Sequence, residues 1–134
     1  MLLSEPKKSG KTFTAACLAL WWAVINRHTE IIITANDLEQ SVSRVKTMTA
    51  LIEQNEALHC EADVLSSSIR MDNGTLILPI ASDCKGAAGS SHSLVVYDEL
   101  WGFETEKARR LYEELTPPPT QSSAWVLIVR GFYR

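Results

Sequence analysis

Apolar residues come in short dense runs, separated by polar breaks that carry glycine or proline. Leu2-Leu3-Ser4 is a strand stub that ends at Pro6. Lys7-Lys8-Ser9-Gly10 follows, and the chain turns apolar again from about Lys11 to Asn26, which predicts a strand, a loop and a helix. Through Ala15–Ile25 (AACLALWWAVI) this helix is apolar almost all round. It is expected to be covered on most sides, like a helix packed on a sheet inside a larger assembly. Trp21 and Trp22 read as core or interface side chains. Glu30 to Ala35 contains three consecutive isoleucines, the pattern of a strand buried on both faces of a parallel sheet. Asn36 and Asp37 offer capping oxygens to a helix from about Leu38 to Leu58. Within it, Leu38, Val42, Val45, Met48 or Thr49, and Ile52 fall on one dry face.

Further along, the runs Ser66–Met71 and Thr75–Leu78 flank Asp72-Asn73-Gly74, whose Asn-Gly step predicts a hairpin. Cys84 to Ser93 is small and glycine-containing. It cannot build a core and reads as an exposed loop of the kind that carries function. Ser93 to Tyr97 is a second strand buried on both faces, and it delivers Asp98-Glu99 at its carboxyl end. Glu104 to Leu115 places Ala108, Leu111, Tyr112 and Leu115 on one helical face before Pro117-Pro118-Pro119 stops it, and Trp125 to Val129 is a last strand. The alternation of strands and helices predicts an α/β fold of three layers, with a mainly parallel sheet and one inserted β-hairpin, in a single domain over 1–134.

Composition narrows the function classes. Thirteen Lys and Arg against sixteen Asp and Glu leave a formal charge of -3, and 46% of the 134 residues are hydrophobic with 22% charged. This is a globular composition. It excludes a disordered tail and a histone-like nucleic-acid binder, but not a local basic patch. Cys17, Cys60 and Cys84 lie far apart and form no C-x-x-C pair, so neither a disulfide framework nor a zinc site is expected, and a reducing compartment fits. The apolar run at 15–25 is well short of the roughly 20 residues of a membrane span. No charged leader with a cleavage site opens the chain, so no membrane association and a cytoplasmic location are expected. His28, His59 and His92 have no mutual metal spacing and read as surface or loop residues.

The chemistry concentrates at two places. Ser9-Gly10-Lys11-Thr12 stands between a strand and a helix. There the backbone amides of Lys8, Ser9 and Gly10 can point at phosphate, Lys11 can add a charge to the β- and γ-phosphates, and the Thr12 hydroxyl can ligate Mg²⁺. This is a phosphate loop with one deviation: Glu5 holds the position, five before Gly10, of the glycine in the standard motif. Asp98-Glu99 ends an apolar strand. Beside a phosphate loop, such an aspartate holds the metal through its water shell, and the adjacent glutamate orients and deprotonates an attacking water.

Four segments in order carry a resemblance. They are Ser4-Glu5-Pro6-Lys7-Lys8-Ser9-Gly10-Lys11-Thr12, Thr34-Ala35-Asn36-Asp37-Leu38-Glu39-Gln40, Gly86-Ala87-Ala88-Gly89, and Val95-Val96-Tyr97-Asp98-Glu99-Leu100-Trp101-Gly102-Phe103. Together they resemble the ATPase domain of the large terminase subunit of tailed bacteriophages, over nearly the whole chain. The resemblance implies a P-loop ATPase that hydrolyses ATP with Mg²⁺ to drive double-stranded DNA into a preformed capsid. Implied partners are a portal, a small terminase subunit and further copies of the chain in a ring, in the host cytoplasm. By position, Lys11, Thr12 and Asp98 take the nucleotide and metal, Glu99 is catalytic, and Lys7 matches a basic residue, usually arginine, that senses the γ-phosphate.

In that family an adenine-binding segment precedes the phosphate loop and a nuclease domain follows the ATPase. The chain is therefore expected to be a partial ATPase domain with no nuclease, weak or absent in hydrolysis by itself. After the last strand the family carries a small or hydroxyl residue that couples hydrolysis to movement. The corresponding stretch here is Val129-Arg130-Gly131-Phe132-Tyr133-Arg134. Two other classes stay open at this point: a noncatalytic binding or assembly remnant, and a fragment of a helicase-like DNA translocase. Lys85 reads as a solvated lysine, Arg109 and Arg110 as helix partners of Glu106, and Trp101 as a packing anchor.

Overall fold

The computed structural model describes residues 1–6, 8–81, 92–99, 105–117 and 123–132. In chain order the elements are β1 (Leu2–Pro6), α1 (Lys11–Ile25), β2 (Glu30–Ala35), α2 (Leu38–Glu53), α3 (Glu56–Cys60) and β3 (Ala62–Val64). They continue with β4 (Ile69–Met71), β5 (Leu76–Ala81), β6 (His92–Asp98), α4 (Glu106–Leu115) and β7 (Trp125–Phe132). The described strands form one sheet in the order β1-β7-β6-β2-β5-β4-β3. Its first five members run parallel, and β4 and β3 add antiparallel pairs at one edge.

Side-chain alternation along the central strands builds three layers. Ile31 and Ile33, Leu94 and Val96, and Leu127 and Val129 share one core with Ala15, Ala16, Ala19 and Ala23 of α1 and with Val45, Met48 and Ile52 of α2. Ile32, Val95 and Tyr97 form a second core with Ala108, Leu111 and Leu115 of α4. The α/β expectation therefore holds, with helices on both faces of a mainly parallel sheet.

Local chemistry sets most boundaries. Asp37 caps α2 by accepting from Gln40 N at 2.7 Å, and Thr105 caps α4 by accepting from Ala108 N at 3.2 Å. The helix expected to run to Leu58 breaks after Glu53, because Asn55 accepts from Leu58 N and caps the separate short helix α3. The dry face of α2 is also rotated from the expected one: Ser41 is buried with Val45, Met48 and Ile52, and Leu38 is exposed. The buried Ser41 hydroxyl accepts from Ala35 N at 3.0 Å and donates to Ile80 O at 2.9 Å, tying the ends of β2 and β5 to α2.

The Asp72-Asn73-Gly74 turn is present, with Gly74 at φ 85 and its amide bonded to Met71 O. The second arm of the hairpin does more than complete it. β5 continues through Pro79 to Ala81 and pairs in parallel with β2 along its length. The recorded β4 pairing reaches only Ile77, so Pro79 lies on a one-sided stretch where a missing N–H is tolerated.

The expected cover of α1 is incomplete in the chain alone. Trp22 is buried and donates its indole N–H to Ser93 Oγ at 2.9 Å. Phe13 and Trp21 are 54% and 55% exposed, on a face they share with the exposed Cys17 and Val24. Cys17 and Cys60 are free thiols. Among the described residues, no helix is long and apolar enough to cross a membrane, and no cluster of three His, Cys, Asp or Glu is placed to hold a metal.

Candidate nucleotide site

In a parallel α/β sheet, ligands gather at the carboxyl ends of the strands where the chain's crossover direction reverses. Here β1 leads across β7 and β6 to β2, whereas β6 leads back to β7 through α4 on the opposite face. The reversal falls at the ends of β1, β7 and β6. With neighbouring strands about 4.8 Å apart, the intervening β7 sets β1 and β6 about 10 Å apart, a gap of triphosphate scale.

The loop after β1 turns sharply. Lys8 and Gly10 both have positive φ, 64 and 89, and Ser9 N donates to Pro6 O at 3.4 Å. Gly10 is the residue before α1. It has no side chain with which to cap the helix, and open space lies where a Cβ would point. The first intrahelical bond is Thr14 N to Gly10 O at 3.0 Å, so the amides of the preceding residues are not consumed by the helix. Lys8, Ser9 and Gly10 are exposed at this mouth, Lys11 is buried and Thr12 half-buried. Glu5, where the standard loop has glycine, still belongs to β1 and pairs with Gly131.

The acidic pair lies directly opposite. Lys11 Nζ is 2.9 Å from Glu99 Oε1. Glu99 has φ 58, an unfavourable conformation for a residue with a Cβ; its amide donates to Val129 O at 2.9 Å. Asp98 is 3% exposed, and its Oδ1 is buried with no hydrogen-bond partner among the described residues. Thr12 and Asp98 line one small cavity of about 10 Å³, together with Arg44, Met48, Val96 and Val129. Tyr97, just before the acidic pair, is fully buried. Burial pushes its phenol well above the usual range, so it stays a neutral hydroxyl packed against Tyr112.

The structure thus brings together Lys8, Ser9, Gly10, Lys11, Thr12, Asp98 and Glu99. Lys7, Lys85, the Gly86–Gly89 segment and Trp101 lie outside the described residues. Arg110 pairs with Glu106 at 2.6 Å on the exposed face of α4, as its spacing predicts. His28 and His59 are exposed, and His92 lies 2.9 Å from Leu115 O through Nε2.

Two members of the site were not singled out in the sequence. Arg44 of α2 forms an ion pair with Asp98 through Nε and Oδ2. Gly131 of β7 leaves room for the lysine, since a Cβ there would sit 2.3 Å from Lys11 Nζ. A signal existed for each. Arg44 is a charge adjoining the buried stripe of α2, and an isolated glycine in a strand pattern marks a close approach.

These residues fit a magnesium-bound triphosphate. The amides of a side-chain-free helix start suit phosphate oxygens. Thr12 and Asp98, which line one cavity, offer a hydroxyl and a carboxylate with an unpartnered buried oxygen, hard oxygen donors of the kind Mg²⁺ takes.

No protein-family model matches the chain, and no curated protein matches it by sequence. Several solved structures share its fold. The large terminase of bacteriophage HK97 superposes with a TM-score of 0.78 at 16% identity, over 96% of this chain and 28% of that one. The large terminase of a thermophilic bacteriophage gives a TM-score of 0.72 at 7% identity, over 96% and 33%. The large terminase ATPase domain of Thermus phage P74-26 gives 0.66 at 16% identity, over 96% and 58%. The chain therefore has the fold of large terminase ATPase domains and spans between 28% and 58% of the length of these structures.

Proposed function

We propose that the chain is the ATPase core of a DNA-packaging motor of the large terminase type, hydrolysing ATP with Mg²⁺ to move double-stranded DNA. The observation that carries this reading is the meeting of Lys11 with Glu99, and of Thr12 with Asp98, at the carboxyl ends of β1 and β6. The fold shared with phage large terminases supports it.

In this reading the amides of Lys8 and Gly10, and that of Ser9 on leaving Pro6 O, cradle the phosphates, and Lys11 leaves Glu99 to reach the β- and γ-oxygens. Thr12 and Asp98 hold Mg²⁺, which when bound supplies positive charge against the phosphate oxygens. Glu99, released from Lys11, orients a water and takes its proton as that water attacks the γ-phosphorus and the bond to ADP breaks. Lys7 contributes charge near the γ-phosphate. By analogy with the family, the partners are duplex DNA, a portal, a small terminase subunit and neighbouring copies in a ring, in the bacterial cytoplasm. Residues 1–134 act as one ATPase domain in this reading. Motors of this kind need neighbouring subunits and DNA to complete the site, so slow basal turnover is expected of the isolated chain.

The ion pair of Lys11 with Glu99 favours a second reading, a noncatalytic module that binds nucleotide for assembly. Phosphate release and calorimetry with Mg-ATP separate the two. The ATPase reading expects Glu99→Gln to keep nucleotide binding while phosphate release falls by about a hundredfold. It expects Lys11→Ala to weaken binding by about tenfold or more. Equal release by wild type and both variants removes the enzymatic reading, and binding without turnover supports the module. Stimulation by single-stranded rather than duplex DNA would move the assignment to a helicase-like translocase.

A further inference from the structure

Arg44 belongs to neither the phosphate loop nor the acidic pair, yet its guanidinium reaches the most deeply buried carboxylate of the site. It pairs with Asp98 across 54 positions of sequence, through Nε and Oδ2. The Asp98 side chain is 4% exposed, and an ionised carboxylate at that depth needs a countercharge. Arg44 supplies it from a side chain that is 29% exposed and so keeps a route to solvent.

The other oxygen of Asp98, Oδ1, is buried without a hydrogen-bond partner among the described residues, and Asp98, Arg44 and Thr12 line one cavity. That cavity, about 10 Å³, has room for about one water. Mg²⁺ keeps several of its six ligands as waters, so the cation with its shell and the guanidinium do not fit there together.

We propose that Arg44 is a positioning residue that serves as a placeholder cation. In the metal-free protein it pairs with Asp98 and holds that carboxylate in place, and it withdraws toward solvent as Mg²⁺ and nucleotide enter. This inference rests on the ATPase reading of the site and adds a regulation to it: metal loading is an exchange of cations on Asp98, so Arg44 sets the Mg²⁺ concentration at which nucleotide is captured.

The test titrates Mg²⁺ at fixed mant-ATP, following nucleotide fluorescence, in wild type, Arg44→Gln and Arg44→Lys, with thermal denaturation in parallel. Arg44→Gln removes the competing charge, and the Mg²⁺ midpoint is expected to fall by about tenfold. Arg44→Lys keeps a charge on a shorter stem and should fall between the two. Arg44→Gln should also melt below wild type in chelator, and the gap should narrow in Mg²⁺ with nucleotide, because the metal then replaces the lost countercharge.

An unchanged or raised midpoint in Arg44→Gln, with nucleotide still bound, overturns the placeholder and leaves the ATPase reading standing. A melting deficit of the same size in chelator and in Mg²⁺ with nucleotide makes Arg44 a structural residue and likewise overturns it. Failure of wild type to bind mant-ATP at any Mg²⁺ concentration removes the ATPase reading and the placeholder with it.

Discussion

Gly131 shows how tightly single residues are specified around the site. Its amide lies 3.5 Å from Glu99 Oε2, and a Cβ would also come within 3.2 Å of Glu99 Oε1. The severe clash is with Lys11 Nζ, the tip of a flexible side chain, which can move at little cost. Gly131→Ala is therefore expected to cost less than about 1 kcal/mol in stability, since alanine also restricts the unfolded chain. It displaces Lys11, however, and nucleotide affinity should change by about tenfold. Thermal denaturation and calorimetry on the same samples check both parts, and wild-type affinity in the variant would show that the close approach has no bearing on binding. The meeting of Lys11 and Thr12 with Asp98 and Glu99 was legible in the sequence as a candidate site, because a strand-loop-helix unit and an apolar strand ending in acids place both groups at the carboxyl edge of one parallel sheet. Arg44 was not, because its partner is remote in sequence and an arginine on a helix ordinarily reads as solvated.

Between elements, the clearest coupling is the hairpin turn against α1. Asn73 Nδ2 lies 2.8 Å from Ala23 O, 3.3 Å from Val24 O and 3.0 Å from Asn26 O, so a turn residue serves the carbonyl end of a distant helix. Its Oδ1 accepts from Thr75 N at 3.0 Å, and Thr75 Oγ1 donates to Asn26 O at 2.8 Å. Asn73→Ala strips the bonds of the Asn73 amide and leaves that of Thr75 Oγ1, while Gly74 keeps its positive φ, and a loss of about 1–3 kcal/mol is expected in denaturant unfolding. A loss under about 0.5 kcal/mol would mean that water replaces the amide fully. The dense apolar runs made α1, β2 and β6 readable, since burial on both faces leaves few alternatives. The break between α2 and α3 was hidden because Leu51, Ile52 and Leu58 keep a helical spacing across it, and only the cap at Asn55 marks the interruption. β3 is three residues long and mostly exposed, too short to leave a period.

Across the whole molecule, protection should follow the layers. β2 and β6 lie at the centre of the sheet with helices over both faces, whereas β3 is an edge strand that pairs, among the described strands, with β4 alone. Native-state hydrogen exchange is expected to be slowest at Ile31–Ile33 and Val95–Tyr97, and faster by several orders of magnitude at Ala62–Val64. Uniform protection through all the strands would indicate a single opening unit and contradict this gradient. The sheet order also has a consequence for biosynthesis. The strand leading into the phosphate loop, β1, occupies an edge and has β7 as its neighbour, with Leu2 opposite Ile128 and Pro6 opposite Phe132. Closing a loop of more than about a hundred residues is entropically costly and slow. A ribosome therefore releases the lysine and both acids long before the strand that unites them. A message ending prematurely within residues 125–132 would yield a polypeptide that holds Lys11, Thr12, Asp98 and Glu99 but lacks the strand that sets β1 beside β6.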